Sequence, residues 1–167
     1  MLPDKELAYL ERCIELAREA LQAGDDPFGS ILVDDQGQIL KEDRNRIVTG
    51  NDISLHPELT LATWAYKNLP PNVRASATVY TSGEHCPMCA AAHSYAGLGR
   101  IVFASSSKQL RQWKEELGAP TGEVAALPIE MVVKKAEVEG PVEELGEKIF
   151  ELHRLRWEKV CSQSQGQ

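Results

Sequence analysis

Short apolar segments with strand character alternate along this chain with longer segments of helical periodicity. The strand segments cover residues 30–34, 38–41, 78–81, 101–104 and 129–133. The helical segments cover residues 4–23, 56–69, 87–97, 108–117 and 142–159. The first two strands form a hairpin, and strands joined through a helix run parallel. The order predicts an α/β fold of three layers, α/β/α, with a central mixed five-stranded sheet.

A single domain accounts for the 167 residues of the chain. We expect this domain over residues 1–160 and a polar C-terminal tail over 161–167, where CSQSQGQ lacks any periodicity. No apolar run approaches the roughly 20 residues that span a bilayer, and the acidic, helical start is unlike a signal peptide. Two of the four cysteines are isolated and two form a C-x-x-C pair, which is not a disulfide framework. These features predict a cytoplasmic protein.

The net charge of −7 bears on the kind of partner this chain can bind. Binding to a polyphosphate depends on lysine and arginine, so an acidic chain disfavours it, and small neutral substrates suit the charge better. The acidic run 137–147 is expected to be a solvated loop followed by the start of a helix.

Two short segments far apart in the chain carry side chains that bind metals. His56-Pro57-Glu58 lies at the start of one predicted helix, and Cys86-Pro87-Met88-Cys89 lies at the start of another, directly after a strand. Zinc accepts cysteine sulfur and histidine nitrogen, and catalytic zinc sites use three protein ligands and leave a fourth position for water. We therefore predict a catalytic Zn²⁺ site formed by His56, Cys86 and Cys89.

The helix starts also suit the chemistry of these side chains. Free backbone N–H groups and the positive end of the helix dipole stabilise thiolates, which favours ionised Cys86 and Cys89. Glu58 stands two residues after His56, where it need not bind the metal and can reach metal-bound water and a substrate ring. We predict that Glu58 is the catalytic proton shuttle.

On the pattern H-x-E followed by C-x-x-C, the chain resembles the zinc-dependent cytidine and deoxycytidylate deaminase-like family. The resemblance extends to Pro27-Phe28-Gly29, to Asn45, to Asn51-Asp52 and to the run T-S-x-E-x-C-P-M-C at 81–89. It is closest to the guanine deaminase and tRNA adenosine deaminase branch. Pro57 departs from the pattern, because alanine usually follows the metal-binding histidine.

The resemblance implies a cytidine deaminase-like fold, a homodimer, and hydrolytic deamination. In that reaction zinc-bound hydroxide attacks the amino-bearing ring carbon, Glu58 moves protons, and ammonia leaves. The resemblance also places Asn45 and Phe28 at the substrate, and Glu84 either there or in a structural role. His85 stands where the family usually has proline, so it puts a titratable ring beside the metal and is a further candidate for substrate contact.

The cysteine pair alone has other interpretations. A structural zinc site needs a fourth ligand, and the remaining histidines and cysteines lie at no paired spacing. A thioredoxin-like role would leave His56, Glu58 and Asn45 without a purpose. We expect His93 to be partly buried and hydrogen-bonded and His153 to be on the surface, and we expect the tryptophans, including Trp64 and Trp113, to pack in the core.

Two substrate classes are compatible with a deaminase. The first is a free nucleobase or nucleoside, a guanine- or cytosine-like aminated heterocycle, which the acidic charge favours. The alternative is an adenosine in tRNA, edited from A to I, which requires a cationic surface. The late basic residues are interleaved with acids; they are Lys134, Lys135, Lys148, Arg154, Arg156 and Lys159. A further alternative is a non-enzymatic zinc-stabilised binding module, which would tolerate Glu58→Ala.

Overall fold

The computed structural model describes residues 2–164. The strands are β1 (Gly29–Val33), β2 (Ile39–Arg44), β3 (Thr78–Gly83), β4 (Ile101–Ser105) and β5 (Val138–Glu139). The helices are α1 (Asp4–Ala23), α2 (Ile47–Gly50), α3 (Pro57–Asn68), α4 (Pro71–Ser76), α5 (Pro87–Ala96), α6 (Ser107–Leu117), α7 (Ile129–Val132) and α8 (Glu143–Ser164).

One five-stranded sheet in the order β2-β1-β3-β4-β5 forms the centre of the molecule. β1 is antiparallel to both β2 and β3, whereas β3, β4 and β5 are parallel. Helices cover both faces of this mixed sheet, so the predicted three-layer α/β fold is confirmed. The parallel pair β3 and β4 matters for function, because the segments that follow two parallel strands emerge at the same edge of the sheet.

Successive side chains along a buried strand point to opposite faces of the sheet, so the core has two layers. Ile31 and Val33 of β1 pack with the apolar faces of α1 and α8. Leu32, between them, points to the opposite face and packs with α3 and the end of α5. Trp113 packs against the first layer and Trp64 against the second, as expected. The two apolar faces explain why β1, β3 and β4 are almost continuously apolar in sequence.

The predicted strand at 129–133 is wrong. Residues Ile129–Val132 form α7, and the fifth strand is Val138–Glu139, inside the acidic run that was expected to be a loop. Pro128 precedes α7, and the amide of Ile129 donates to the Glu84 side chain instead of to a neighbouring strand. Ile129 is fully buried against β4 and α5, so the apolar run reflects packing of a short helix.

The last helix is longer than the sequence pattern indicates. α8 continues to Ser164, so the first four residues of the expected tail at 161–167 are helical, and 165–167 lie outside the described residues. Between residues 2 and 164, no helix is both long and apolar enough to cross a membrane.

Candidate active site

His56 and Cys86 occupy equivalent positions at the starts of α3 and α5. Each is the N-terminal capping residue of its helix, and each is followed by a proline at the first helical position. A residue before proline is held in an extended conformation, as the ψ angles of 135° and 164° for His56 and Cys86 show. Pro57, which stands where the family usually has alanine, therefore gives His56 the same local geometry that Pro87 gives Cys86.

The ligand atoms of His56, Cys86 and Cys89 all lie within 4.8 Å of one another. Cys86 Sγ is 3.8 Å from His56 Nδ1. A sulfur and a nitrogen ligand of one tetrahedral zinc ion would be about 3.5 Å apart, given a Zn–S distance of about 2.3 Å and a Zn–N distance of about 2.0 Å. Within residues 2–164 this is the one such group of three histidine, cysteine or acidic side chains. One nitrogen and two sulfurs at these distances fit zinc.

The environment of Cys86 favours its thiolate. The pKa of Cys86 is lowered to about 4, first by a hydrogen bond with the Cys89 side chain and then by one with His56. The same hydrogen bond and burial raise the pKa of Cys89. The pKa of His56 is raised by its hydrogen bond to Cys86. The cluster thus holds negative charge at Cys86, where a cation can replace the shared protons.

Glu58, the second residue of α3, lies beside the three ligand residues and is only 5% exposed. Its Oε2 atom is 3.7 Å from Cys89 Sγ. Burial raises the pKa of this carboxyl. Glu58 also lines the cavity in front of His56 and Cys86, so it can exchange protons with a molecule bound there.

Thr81 is a residue of this site that the sequence analysis did not identify. Its hydroxyl lies 3.1 Å from Glu58 Oε1 and 3.0 Å from the carbonyl oxygen of Gly83, and it accepts a hydrogen bond from Ser30. The side chain is fully buried on β3. Thr81 fixes one oxygen of Glu58 and leaves the other facing the ligand residues. The only sequence signal was its place at the head of the T-S-x-E-x-C run.

A cavity of about 470 Å³ opens in front of these residues. Besides His56, Glu58 and Cys86, its lining includes Phe28, side chains of α6 and the segment 121–126. The α6 side chains are Leu110, Arg111 and Lys114, together with Ser107 and Glu115. No motif marks these positions in the sequence, because they contribute shape and charge rather than a fixed chemical group.

Two of the predicted substrate contacts do not line this cavity. Asn45 is 2% exposed, and its Oδ1 accepts a hydrogen bond from the Ile47 amide. His85 is fully buried and stacks edge-on against His93 at 5.4 Å, and burial lowers its pKa well below the usual value. His85 therefore points into the interior, where it packs against His93, rather than to the cavity.

Glu84 lines the cavity, but both of its carboxylate oxygens are engaged by the backbone. Oε2 accepts from the Ser107 amide at 2.8 Å, and Oε1 accepts from the Ile129 amide at 2.9 Å. These amides are the first of α6 and α7, where helix N–H groups lack partners within the helix. Glu84 thus joins the two helices that flank the segment 121–126, which supports the structural role.

We expect Glu84→Gln to destabilise the protein, because the amide group can replace only one of the two charged acceptors. The free energy of unfolding, measured by urea denaturation, should fall by about 1–3 kcal/mol. Limited proteolysis should cut the segment 118–128 faster. Glu130→Gln, at an exposed position on α7, is the control and should change neither measurement. Equal stability and proteolysis of the Glu84 and Glu130 variants would contradict this role.

The two remaining histidines lie in different environments. His93 is buried and its Nε2 pairs with the carbonyl of Gly99 at 2.9 Å, as expected. The prediction of a surface position for His153 is wrong. His153 is 8% exposed and packs between Phe28 and Trp113, because α8 turns this side chain toward the sheet.

Known proteins resemble this chain in sequence and in fold. Residues 3–105 match the family model described as the cytidine and deoxycytidylate deaminase zinc-binding region. A probable cytosine deaminase of Schizosaccharomyces pombe is 32% identical over 70% of this chain and 70% of its own length. The guanine deaminase of Bacillus subtilis is 37% identical over 58% of this chain and 62% of its own. A tRNA-specific adenosine deaminase of Haemophilus influenzae is 33% identical over 56% of this chain and 54% of its own length.

Among solved structures, the guanine deaminase of Nitrosomonas europaea superposes with a TM-score of 0.68 at 20% identity. The superposition covers 92% of this chain and 86% of that protein, and it shows the cytidine deaminase-like fold. The matched family segment contains all three metal-ligand candidates and Glu58. The chain therefore belongs to the cytidine and deoxycytidylate deaminase family and is a hydrolytic deaminase.

Proposed function

We propose that this protein deaminates a free nucleobase or nucleoside, a guanine- or cytosine-like aminated heterocycle, and that it does so with Zn²⁺ held by His56, Cys86 and Cys89. The observation that carries the proposal is the cavity that Glu58, His56 and Cys86 line together with Phe28. Relatives that act on cytosine and on guanine support a free base as substrate. The cavity volume is within the range of small-molecule sites.

The reaction replaces the exocyclic amino group of the ring by an oxygen from water and releases ammonia. Zinc, when bound, would activate the water. Glu58 accepts a proton from that water and delivers protons to the ring nitrogen and to the leaving amine. Thr81 keeps the Glu58 carboxyl oriented, and Phe28 offers an aromatic surface to the ring. Asn45 stays a candidate for ring contact, because its side-chain NH₂ makes no hydrogen bond to the described residues.

The alternative of tRNA editing has support from four relatives that are tRNA-specific adenosine deaminases, but the basic residues of α8 argue against it. Arg154 pairs with Glu151 and Glu158, and Arg156 pairs with Asp26. Lys159 donates to a backbone carbonyl of α1. These cations are engaged within the protein, whereas a phosphate-binding surface needs them available. A non-enzymatic zinc module leaves the buried Glu58 unexplained.

An activity panel tests the proposal. Ammonia release is measured for guanine, cytosine, adenine, isocytosine, their nucleosides and a tRNA, each at about 50 and about 200 mM salt. We expect turnover of at least one free base or nucleoside with a KM that hardly depends on salt. An enzyme that makes 6–10 phosphate contacts would lose about 10³–10⁵-fold in affinity over this range. Turnover of tRNA alone, with such a salt dependence, would contradict the proposal and support the editing alternative.

A further inference from the structure

The Phe28 ring is held against the sheet from one side. It lies over Gly83 of β3, where an added Cβ would come within 3.0 Å of Phe28 Cε1. The Phe28 carbonyl also accepts a hydrogen bond from the Asn45 amide at 2.9 Å. The ring is partly exposed and lines the cavity together with His56 and Glu58. Its position therefore sets the width of the cavity beside the reacting groups.

His153 of α8 supports the same ring from a second direction. The two rings meet edge to face, with centroids 5.2 Å apart and an interplanar angle of 62°. Trp113 of α6 lies on another side of His153, with centroids 6.2 Å apart. The buried Nε2 of His153 has no hydrogen-bond partner among residues 2–164. Burial, and then the nearby Lys114, lower the His153 pKa to about 4, so this ring is neutral at neutral pH.

Further contacts tie α8 to the segment that carries Phe28. Arg156 Nε lies 2.8 Å from Asp26 Oδ1, and Lys159 Nζ donates to the carbonyl of Leu21 at 3.2 Å. His153, Arg156 and Lys159 are spaced by three residues, so they lie on neighbouring turns of one helix. α8 lies outside the segment 3–105 that matches the family. A part of the chain that carries none of the reacting groups thus contacts Phe28 and the residues before it.

We propose that His153 is a positioning residue, which acts as an aromatic support that holds the Phe28 ring where the substrate ring stacks on it. The inference rests on the proposed function for its substrate, a flat aromatic heterocycle. Since the buried His153 Nε2 bonds to nothing in the described chain, the ring surface of His153 is what supports Phe28. Phenylalanine should therefore replace histidine at this position, and alanine should not.

The first test measures the position of Phe28 without any reaction. The chain has three phenylalanines, so incorporation of fluorophenylalanine gives three ¹⁹F resonances, and Phe28→Leu assigns the one of interest. We expect His153→Ala to shift and broaden the Phe28 resonance. His153→Phe contains a fourth phenylalanine and so a fourth resonance, and we expect it to restore the Phe28 line. Phe103, which packs near α7 on the other side of the sheet, is the internal control and should not move.

The second test separates binding from chemistry. We expect His153→Ala to raise KM for the base about 2- to 10-fold, because one edge-to-face aromatic pair is lost. The kcat and the zinc content should not change. His153→Phe should return KM to the wild-type value. Leu152→Ala is the matched control, because Leu152 is a buried neighbour on α8 that packs in the core. It should lower thermal stability without changing KM.

These measurements distinguish failure of the inference from failure of the proposed function. An unchanged Phe28 resonance in His153→Ala, or an equal rise of KM in Leu152→Ala, would overturn the positioning role. A wild-type protein that deaminates no base or nucleoside would overturn the proposed function instead. In that case the ¹⁹F arm still decides whether His153 holds Phe28.

Discussion

Replacement of Glu58 by glutamine should lower kcat by a factor of about 10²–10⁴, the usual contribution of a positioned general acid–base group. Glutamine has the shape of glutamate and can still accept the hydrogen bond from Thr81, so the fold and the cavity should be retained. It cannot take up a proton from water or deliver one to the leaving amine. Ammonia release from the best substrate of the panel measures the loss, and circular dichroism checks the fold.

The zinc content of Glu58→Gln is the control for the predicted loss of kcat. The carboxyl lies beside the three ligand residues but is not one of them, so about one zinc per chain should remain. Glu130→Gln, at the exposed position on α7, should keep wild-type kcat. A Glu58 variant that keeps its zinc and retains kcat within about tenfold of wild type would show that another group moves the protons.

Cys86→Ser should remove the metal and, with it, the activity. Serine is close to cysteine in size, but its hydroxyl does not ionise near neutral pH and oxygen is a poorer zinc ligand in such a site. Loss of a residue that only hydrogen-bonds to a metal ligand lowers metal affinity by about 10–100-fold. Loss of a ligand itself should therefore lower the affinity by at least about 100-fold. Elemental analysis after desalting should find about one zinc per chain in wild type and far less in the variant.

Thermal unfolding gives a second measurement on the same variant. A ligand that binds only the folded state stabilises it by about 2.7 kcal/mol when its free concentration is 100 times its Kd. Added zinc should therefore raise the Tm of wild type and leave the Tm of Cys86→Ser unchanged. Cys161→Ser, at a partly exposed thiol on α8, is the matched control and should retain zinc. Full zinc occupancy in Cys86→Ser would mean that these residues do not form the metal site.

Hydrophobic periodicity was sufficient to predict most of the fold. α1 was predicted at its observed bounds, and β1, β3 and β4 could be recognised as buried strands between helices. The failure at 129–133 has a specific cause. An apolar, β-branched run is compatible with a strand or with a short buried helix. Here the Ile129 amide donates a hydrogen bond to a distant carboxylate, Glu84, and this favours the helix.

The candidate site was predictable where function depends on residue type. The candidates His56, Glu58, Cys86 and Cys89 could be selected because metal binding and proton transfer restrict the side chains that can serve, and the structure brings the four together. Three other residues at or near the cavity could not be predicted in this way. Thr81 contacts Glu58, His153 packs against Phe28, and Lys114 only lines the cavity, and none of these places requires one residue type. The inward orientation of His85 could not be predicted either, because sequence does not show which way a residue before a helix start faces.

The prolines that follow His56 and Cys86 affect how the protein acquires its metal. Proline restricts the backbone of the unfolded chain as well as that of the native one, so less conformational entropy is lost when these turns form. Two of the three proposed ligand residues are therefore preorganised by the covalent structure and by the helices that follow. This differs from small zinc domains whose folding free energy is supplied by the metal. We therefore expect the apoprotein to stay folded, so that metal can be removed and returned without refolding.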